Sequence, residues 1–137
     1  MDRFVCDKEL QLKDSGAVTA PAAGTVDGVD KVIDLGVGPE GSAVDFRGDL
    51  VIAAAALNFN DGNESYTITV QCADVADFST GVANVTGVSL FLDGRYVLPF
   101  RNEGRNGRKY RYLRVFAIVA GTTPSIDYSC YVSKSHS

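Results

Sequence analysis

Apolar residues recur at every second position in short stretches along this chain, and each stretch is closed by glycine, asparagine or aspartate. Tyr66, Ile68, Val70 and Cys72 alternate with Ser65, Thr67, Thr69 and Gln71. Ile126, Tyr128, Cys130 and Val132 alternate with Asp127, Ser129, Tyr131 and Ser133. A period of two sends one set of side chains to a buried sheet face and the other to water. The 137 residues include 14 glycines, which suits a chain of many turns and is long enough for one core. The expectation is one domain over residues 1–137, an all-β, antiparallel β-sandwich or jelly roll of about eight strands. A short flexible tail is expected from Lys134 to Ser137.

The turn signals place the strands. Residues 4–12 read as the first, Ala17 to Ala20 as extended until Pro21, and Ala22 to Asp30 as a loop. Lys31 to Leu35 follows as a short strand, and Gly36 to Gly41 as a turn region. Asp49 to Phe59 holds four successive alanines, which favour helix by propensity, yet it starts with Val and Ile after Leu50 and runs into a turn cluster; a strand is expected. Asn60-Asp61-Gly62-Asn63 is a hairpin-type signal, because these residues tolerate positive φ. Further strands are expected at 64–73, 83–92, 95–100, 110–120 and 125–132. Asp93-Gly94 marks a tight turn, Phe78 is expected to plug into the core from its loop, and Pro99 belongs at a sheet edge.

The motifs that suggest chemistry fail on context. Gly36-Val37-Gly38-Pro39-Glu40-Gly41 spells a dinucleotide fingerprint, but no amphipathic helix follows and Pro39 removes an amide. Arg47-Gly48-Asp49 reads as no more than a turn. Asn63-Glu64-Ser65 and Asn84-Val85-Thr86 match glycosylation sequons, which need secretion, and the charged N-terminus is no secretory signal. Asn58, Asn60, Asp61, Asn63 and Glu64 offer oxygens without the spacing of a calcium loop. The single histidine, His136, lies near the end of the chain. No catalytic residue, cofactor site or metal site is expected, and an enzyme is not. Cys6, Cys72 and Cys130 have no paired spacing and read as buried thiols. No apolar run reaches the ~20 residues that span a bilayer, so no membrane partner is expected.

Charge is divided unevenly. Residues 1–93 carry 15 acids against five bases and residues 94–137 carry eight bases against two acids, so the two parts hold −10 and +6. The densest basic stretch runs from Arg101 to Arg114, with Tyr110 and Tyr112 inside it. Tyr110, Tyr112 and Arg114 are expected on one strand face, Arg111, Leu113 and Val115 on the other. The candidate partner-binding residues are Arg105, Arg108, Lys109 and Arg111, positioned to meet an acidic protein surface. A pI near 4.8 and the lack of a nucleic-acid module argue against nucleic acid as the partner.

Several segments in order resemble the capsid cement (decoration) proteins of tailed bacteriophages of the Bordetella-phage type. They are Asp7-Lys8-Glu9-Leu10-Gln11-Leu12, Asp14-Ser15-Gly16-Ala17-Val18-Thr19-Ala20, Val32-Ile33-Asp34-Leu35-Gly36, Tyr66-Thr67-Ile68-Thr69-Val70-Gln71, Arg111-Tyr112-Leu113-Arg114 and Ala120-Gly121-Thr122. The resemblance implies a jelly-roll subunit on the outer surface of the virion capsid, assembled in the host cytoplasm. It would bind the major capsid protein, bridge neighbouring capsomers and associate with itself as a homodimer or homotrimer. It implies no catalysis and no cofactor. The alternative is a tail or head-fibre β-domain that binds a host-surface glycan, with Tyr110, Tyr112, Tyr128 and Tyr131 as aromatic platforms.

Overall fold

The computed structural model describes residues 10–37, 41, 44–104 and 107–134. Six short strands come first: β1 (Gln11–Lys13), β2 (Ala17–Val18), β3 (Ala22–Ala23), β4 (Thr25–Val26), β5 (Val29–Asp30) and β6 (Ile33–Asp34). Six long ones follow: β7 (Arg47–Leu57), β8 (Ser65–Ala73), β9 (Ala83–Ser89), β10 (Gly94–Arg101), β11 (Tyr112–Ala120) and β12 (Ile126–Lys134). No helix among the described residues is long and apolar enough to cross a membrane.

The strands form a β-sandwich. One sheet has the order β1-β12-β7-β10, with β2 also on β12; the other has β3-β11-β8-β9, with β6 also on β11. All of the pairings are antiparallel, and they nest. β1 pairs with β12, β3 with β11, β7 with β10, and β8 with β9, so the chain folds back on itself from both ends inward. Contacts of β12 with β7 and of β11 with β8 then roll this ribbon into two layers. Eight strands make the nested set; β2, β4, β5 and β6 are two-residue additions.

Alternation sets the core. Leu50, Ile52 and Ala54 of β7 and Tyr128, Cys130 and Val132 of β12 face Tyr66, Ile68, Val70 and Cys72 of β8 and Leu113, Val115, Ala117 and Val119 of β11, all buried. The alanine run is a strand, as expected. Ala54 lies opposite Tyr128, where a small side chain leaves room for the ring. Thr69 departs from the pattern. It is on the outer face of β8 yet buried, and its hydroxyl donates to the Phe116 carbonyl at 2.9 Å.

Several expectations are corrected. Residues 22–30 are not a plain loop: β4 and β5 form a hairpin around Asp27-Gly28, with φ of 56° and 80°. Positive φ at both positions gives the turn whose twist matches a two-residue hairpin, and Asp-Gly is its sequence signal. Asn60–Asn63 and Asp93-Gly94 do form turns, but neither closes a hairpin; each carries the chain from one sheet to the other. Arg47-Gly48-Asp49 opens β7 rather than making a turn. Phe78 (φ 54°) is buried outside the main core, with the Arg114 guanidinium 4.3 Å from its ring centre. It covers the outer side of the β11 sheet instead of plugging the core. Of the expected first strand at 4–12, Gln11 and Leu12 lie in β1 and residues 4–9, with Cys6, lie outside the described residues; of the expected tail, Lys134 is the last residue of β12, paired with Gly48, and residues 135–137 lie outside the described residues.

The two edges of the sandwich differ. On the β1/β3 side, Leu12 is fully buried and the chain at Gly24 passes between the layers, its amide donating to the Val115 carbonyl at 2.9 Å. On the β9/β10 side, Val85, Val88, Tyr96 and Leu98 pack on the core but stay half-buried. Pro99 sits on the edge strand β10, as expected.

Tyr128 carries a test of packing against polarity. Its ring is buried, the Lys13 ammonium lies 5.1 Å from the ring centre, and its hydroxyl has no hydrogen-bond partner among the described residues. Burial pushes its pKa upward. Tyr128→Phe is therefore expected to leave stability unchanged or raise it by up to about 1 kcal/mol, read from the denaturant midpoint. A loss of stability would reveal a partner for the hydroxyl.

Candidate partner-binding surfaces

The basic segment is held by one buried asparagine. Asn102 follows β10 and is fully buried. Its Nδ2 donates to the carbonyls of Val44 at 2.7 Å and Tyr110 at 2.8 Å, and its Oδ1 accepts from the Phe46 amide at 2.9 Å. Its main chain bonds the Phe46 carbonyl and the Tyr110 amide. The 44–46 segment and both ends of the tip are thus tied at one point. Glu103 and Lys109 form an isolated bridge above it, and Gly107 (φ 78°) turns the tip.

Each described candidate base meets a carboxylate of its own chain. Arg108 is ion-paired with Asp74 and stacks over Tyr110 at 5.6 Å. Lys109 lies 3.9 Å from Glu103, which also meets Arg101 at 3.3 Å. Arg111 grips Asp34 with two bonds, Nε to Oδ1 at 2.8 Å and Nη2 to Oδ2 at 2.9 Å. Arg105 lies outside the described residues. The basic stretch is therefore matched at short range by acids from the first 93 residues and by Glu103, and much of the division read along the sequence cancels in space. The expected faces also shift. Tyr112 and Arg114 do point outward and Leu113 and Val115 inward, but β11 starts at Tyr112. Arg111 precedes it and turns to Asp34, and Tyr110 packs on the core.

The Arg111 pairing gives a pH signature. The bond from Arg111, then that from the Gly36 amide, lowers the Asp34 pKa below its ordinary value. A carboxylate lowered on folding stabilises above its unfolded pKa of about 3.9 and loses that contribution as pH falls through the folded value. Asp34→Asn should melt below the wild-type protein at pH 7, with the difference closing in acid below about pH 4. A difference independent of pH, in thermal melts from pH 2 to 7, would contradict this role.

A second surface lies on the half-open side. Leu90 is buried and its amide donates to the Tyr66 carbonyl at 2.9 Å. Phe91 and Leu92, which follow it, are 71% and 72% exposed. The Tyr96 hydroxyl donates to the Leu92 carbonyl at 2.6 Å and braces the turn that displays them. They wall a groove of about 360 Å³ with Ala55, Ala56, Leu57, Phe59 and Asp93. Neighbouring Arg95 bonds only the Tyr131 hydroxyl, at 3.2 Å, and neither Asp93 nor Arg95 has an oppositely charged partner among the described residues. Sequence reasoning missed this surface. The available signal was Leu90-Phe91-Leu92: strict alternation cannot bury three successive apolar residues on one face.

The oxygen-rich loop at 58–64 is joinery. The Tyr66 hydroxyl donates to the Asn58 carbonyl at 2.5 Å and accepts from the Ser125 amide at 2.9 Å. Asn63 exchanges bonds with Thr122, and Glu64 accepts from the amides of Asp61 and Thr123. These bonds fasten the β7–β8 loop to the β11–β12 loop. No group of three or more His, Cys, Asp or Glu placed to hold a metal occurs among the described residues.

The four tyrosines weighed as a glycan platform do not share a surface. Tyr128 is buried, Tyr110 packs on the core, Tyr131 faces out from one sheet and Tyr112 from the other. Cys72 and Cys130 are buried as expected, and neither is in a disulfide; burial pushes the Cys72 thiol up to about 12. No protein-family model matches the chain, and no curated protein matches it in sequence.

Proposed function

We propose that this chain is a structural virion subunit, a capsid cement or decoration protein that binds the major capsid shell and bridges neighbouring capsomers. The observation that carries the reading is the pair Phe91-Leu92, held exposed on a braced turn at the half-open edge of the sandwich. Large apolar side chains displayed on a rigid element are what protein interfaces use, because little ordering entropy is lost when they are covered. The nested strand pairing supports the jelly-roll form of the sandwich, and the ordered run of segments from Asp7 to Thr122 supports the capsid assignment.

The shell-facing contact is assigned to Arg105, Arg108, Lys109 and Arg111. The side chains of Arg108, Lys109 and Arg111 stay 60%, 36% and 39% exposed in their internal ion pairs. A guanidinium has five donors, so Arg111 keeps three after gripping Asp34. An acidic shell surface can share these groups, and many copies on one lattice bind by avidity. Reversing all four charges should lower capsid occupancy severalfold at low salt, with the gap to the wild-type protein narrowing as ionic strength rises. Occupancy equal to the wild-type protein's, counted on purified shells, would refute the assignment.

A further inference from the structure

We propose that the outer face of the β11 sheet binds an acidic saccharide, with the sugar's carboxylate on the Arg114 guanidinium and the Asn84 amide. The inference does not rest on the capsid reading, because neither residue belongs to the contacts assigned to the shell.

The site is a ladder in which one donor-only group sets the others. Arg114, Gln71 and Asn84 stand side by side across β11, β8 and β9. Arg114 Nε donates to Gln71 Oε1 at 2.8 Å, and Gln71 Nε2 donates to Asn84 Oδ1 at 2.9 Å. A guanidinium can only donate, so it fixes which end of Gln71 it meets, and Gln71 in turn fixes Asn84. Both amide oxygens are thereby engaged inside the ladder. What is left over among the described residues is donors, the Nη groups of Arg114 and Nδ2 of Asn84. A carboxylate accepts and cannot donate, so it is the complement of such a row.

Arg114 is also held in place and uncompensated. Its guanidinium carbon lies 4.3 Å from the Phe78 ring centre and 5.4 Å from that of Phe116, which positions the fork before any ligand arrives. It makes no ion pair with a carboxylate of the described residues, whereas Arg101, Arg108 and Arg111 all do. Burial moves its pKa downward, against the smaller effect of Asp30. Part of its hydration is already lost, so an incoming anion has less water to displace.

The rungs beside the ladder favour a sugar over a peptide. The next rung, Phe116-Thr69-Gly87, is low on two of its strands, because Thr69 is buried and Gly87 has no side chain. The rung beyond it carries Ile118 and the Thr67 and Ser89 hydroxyls, which lie 3.4 Å apart. The two flanking rungs stand about 14 Å apart along the strands, room for a pyranose ring. The ring would meet hydroxyls at one end, the donor row at the other, and Phe116 against its C–H face. A protein interface needs an apolar centre, and among the described residues of β8, β9 and β11 Ile118 alone is an exposed large hydrophobic.

Nuclear magnetic resonance titration of the full chain with trigalacturonate tests it, with the methyl ester of that sugar and triglutamate as comparators. Trigalacturonate should bind in the millimolar range or tighter and shift the side-chain amide signals of Gln71 and Asn84. The uncharged ester should bind about tenfold more weakly. Asn84→Asp keeps an acceptor for Gln71 and puts a negative charge where the free donor was. It should leave the melting temperature unchanged, since position 84 is exposed, and weaken binding about tenfold. Arg95→Gln, on the other sheet, should change neither. No shifts well above millimolar sugar, equal binding of the ester, indifference to Asn84→Asp, or equal weakening by Arg95→Gln would each overturn the proposal. Triglutamate bound as tightly as the sugar would give the site to protein carboxylates and overturn it as well. Shell binding is read separately. A chain that binds shells but no sugar ends this inference alone, and one that binds the sugar but no shells ends the cement reading alone.

Discussion

Gly24→Ala is expected to destabilise the fold by about 3 kcal/mol or more, lowering the melting temperature by roughly 10 °C. A Cβ built at Gly24 would lie 2.3 Å from the Leu12 carbonyl oxygen and 2.5 Å from a Val115 methyl. The first is main chain of one sheet and the second is core of the other, so neither can swing aside. Movement of the chain would also strain two hydrogen bonds, Gly24 amide to Val115 carbonyl at 2.9 Å and Lys31 amide to Gly24 carbonyl at 3.0 Å. Those bonds close the β1/β3 side of the sandwich. Gly28→Ala is the control. It has φ +80° and open space around an added Cβ, so only the left-handed backbone is penalised, at about 1 kcal/mol. Thermal melts followed by circular dichroism compare the two; equal melting temperatures would show that the crossing at Gly24 is not tight.

Asn102→Ala should be nearly as damaging. The substitution leaves the Val44 and Tyr110 carbonyls and the Phe46 amide without the side-chain partner that each now has. Buried backbone groups left unsatisfied cost about 1–3 kcal/mol each, partly relieved where water enters, so a total of about 3 kcal/mol is expected. Asn102→Asp is no rescue, because a carboxylate accepts the Phe46 amide but donates to neither carbonyl. Hydrogen exchange locates the effect. Amides at 46, 102 and 110 should lose protection first, while Ile68 and Val70 of β8 keep theirs. Uniform loss across the sandwich would mean that Asn102 supports the whole fold rather than the base of the basic segment.

What the sequence makes legible is periodic. Alternation in β8, β11 and β12 assigns their inner faces correctly, because a one-residue slip would put Ile68 or Leu113 in water. The alanine run is legible as a strand for another reason, the Val51-Ile52 start and the turn cluster that ends it outweighing the helix propensity of alanine. Pairing across the layers is not legible from local pattern. Asn60–Asn63 looks like a hairpin turn and instead changes sheets, since positive φ bends the chain without saying which strand receives it. Phe78 was readable as buried but not as lying beneath Arg114, a partner 36 residues away in the chain. The basic segment was visible as charge, while its carboxylates at Asp34 and Asp74 come from distant strands. Asn102 gave no signal at all, being one asparagine at the start of a glycine-rich tip. Asp27-Gly28 and Phe91-Leu92 were signals present and passed over.

The most direct test of the account is co-sedimentation with capsid shells. To test the proposed capsid role, purified protein is mixed with undecorated tailed-phage shells, and the pelleted copies are counted per shell. Saturable binding at a fixed number of copies, with greater shell resistance to heat, is the expected result. Protein that stays in the supernatant at concentrations that saturate known decoration proteins would contradict the proposed capsid role.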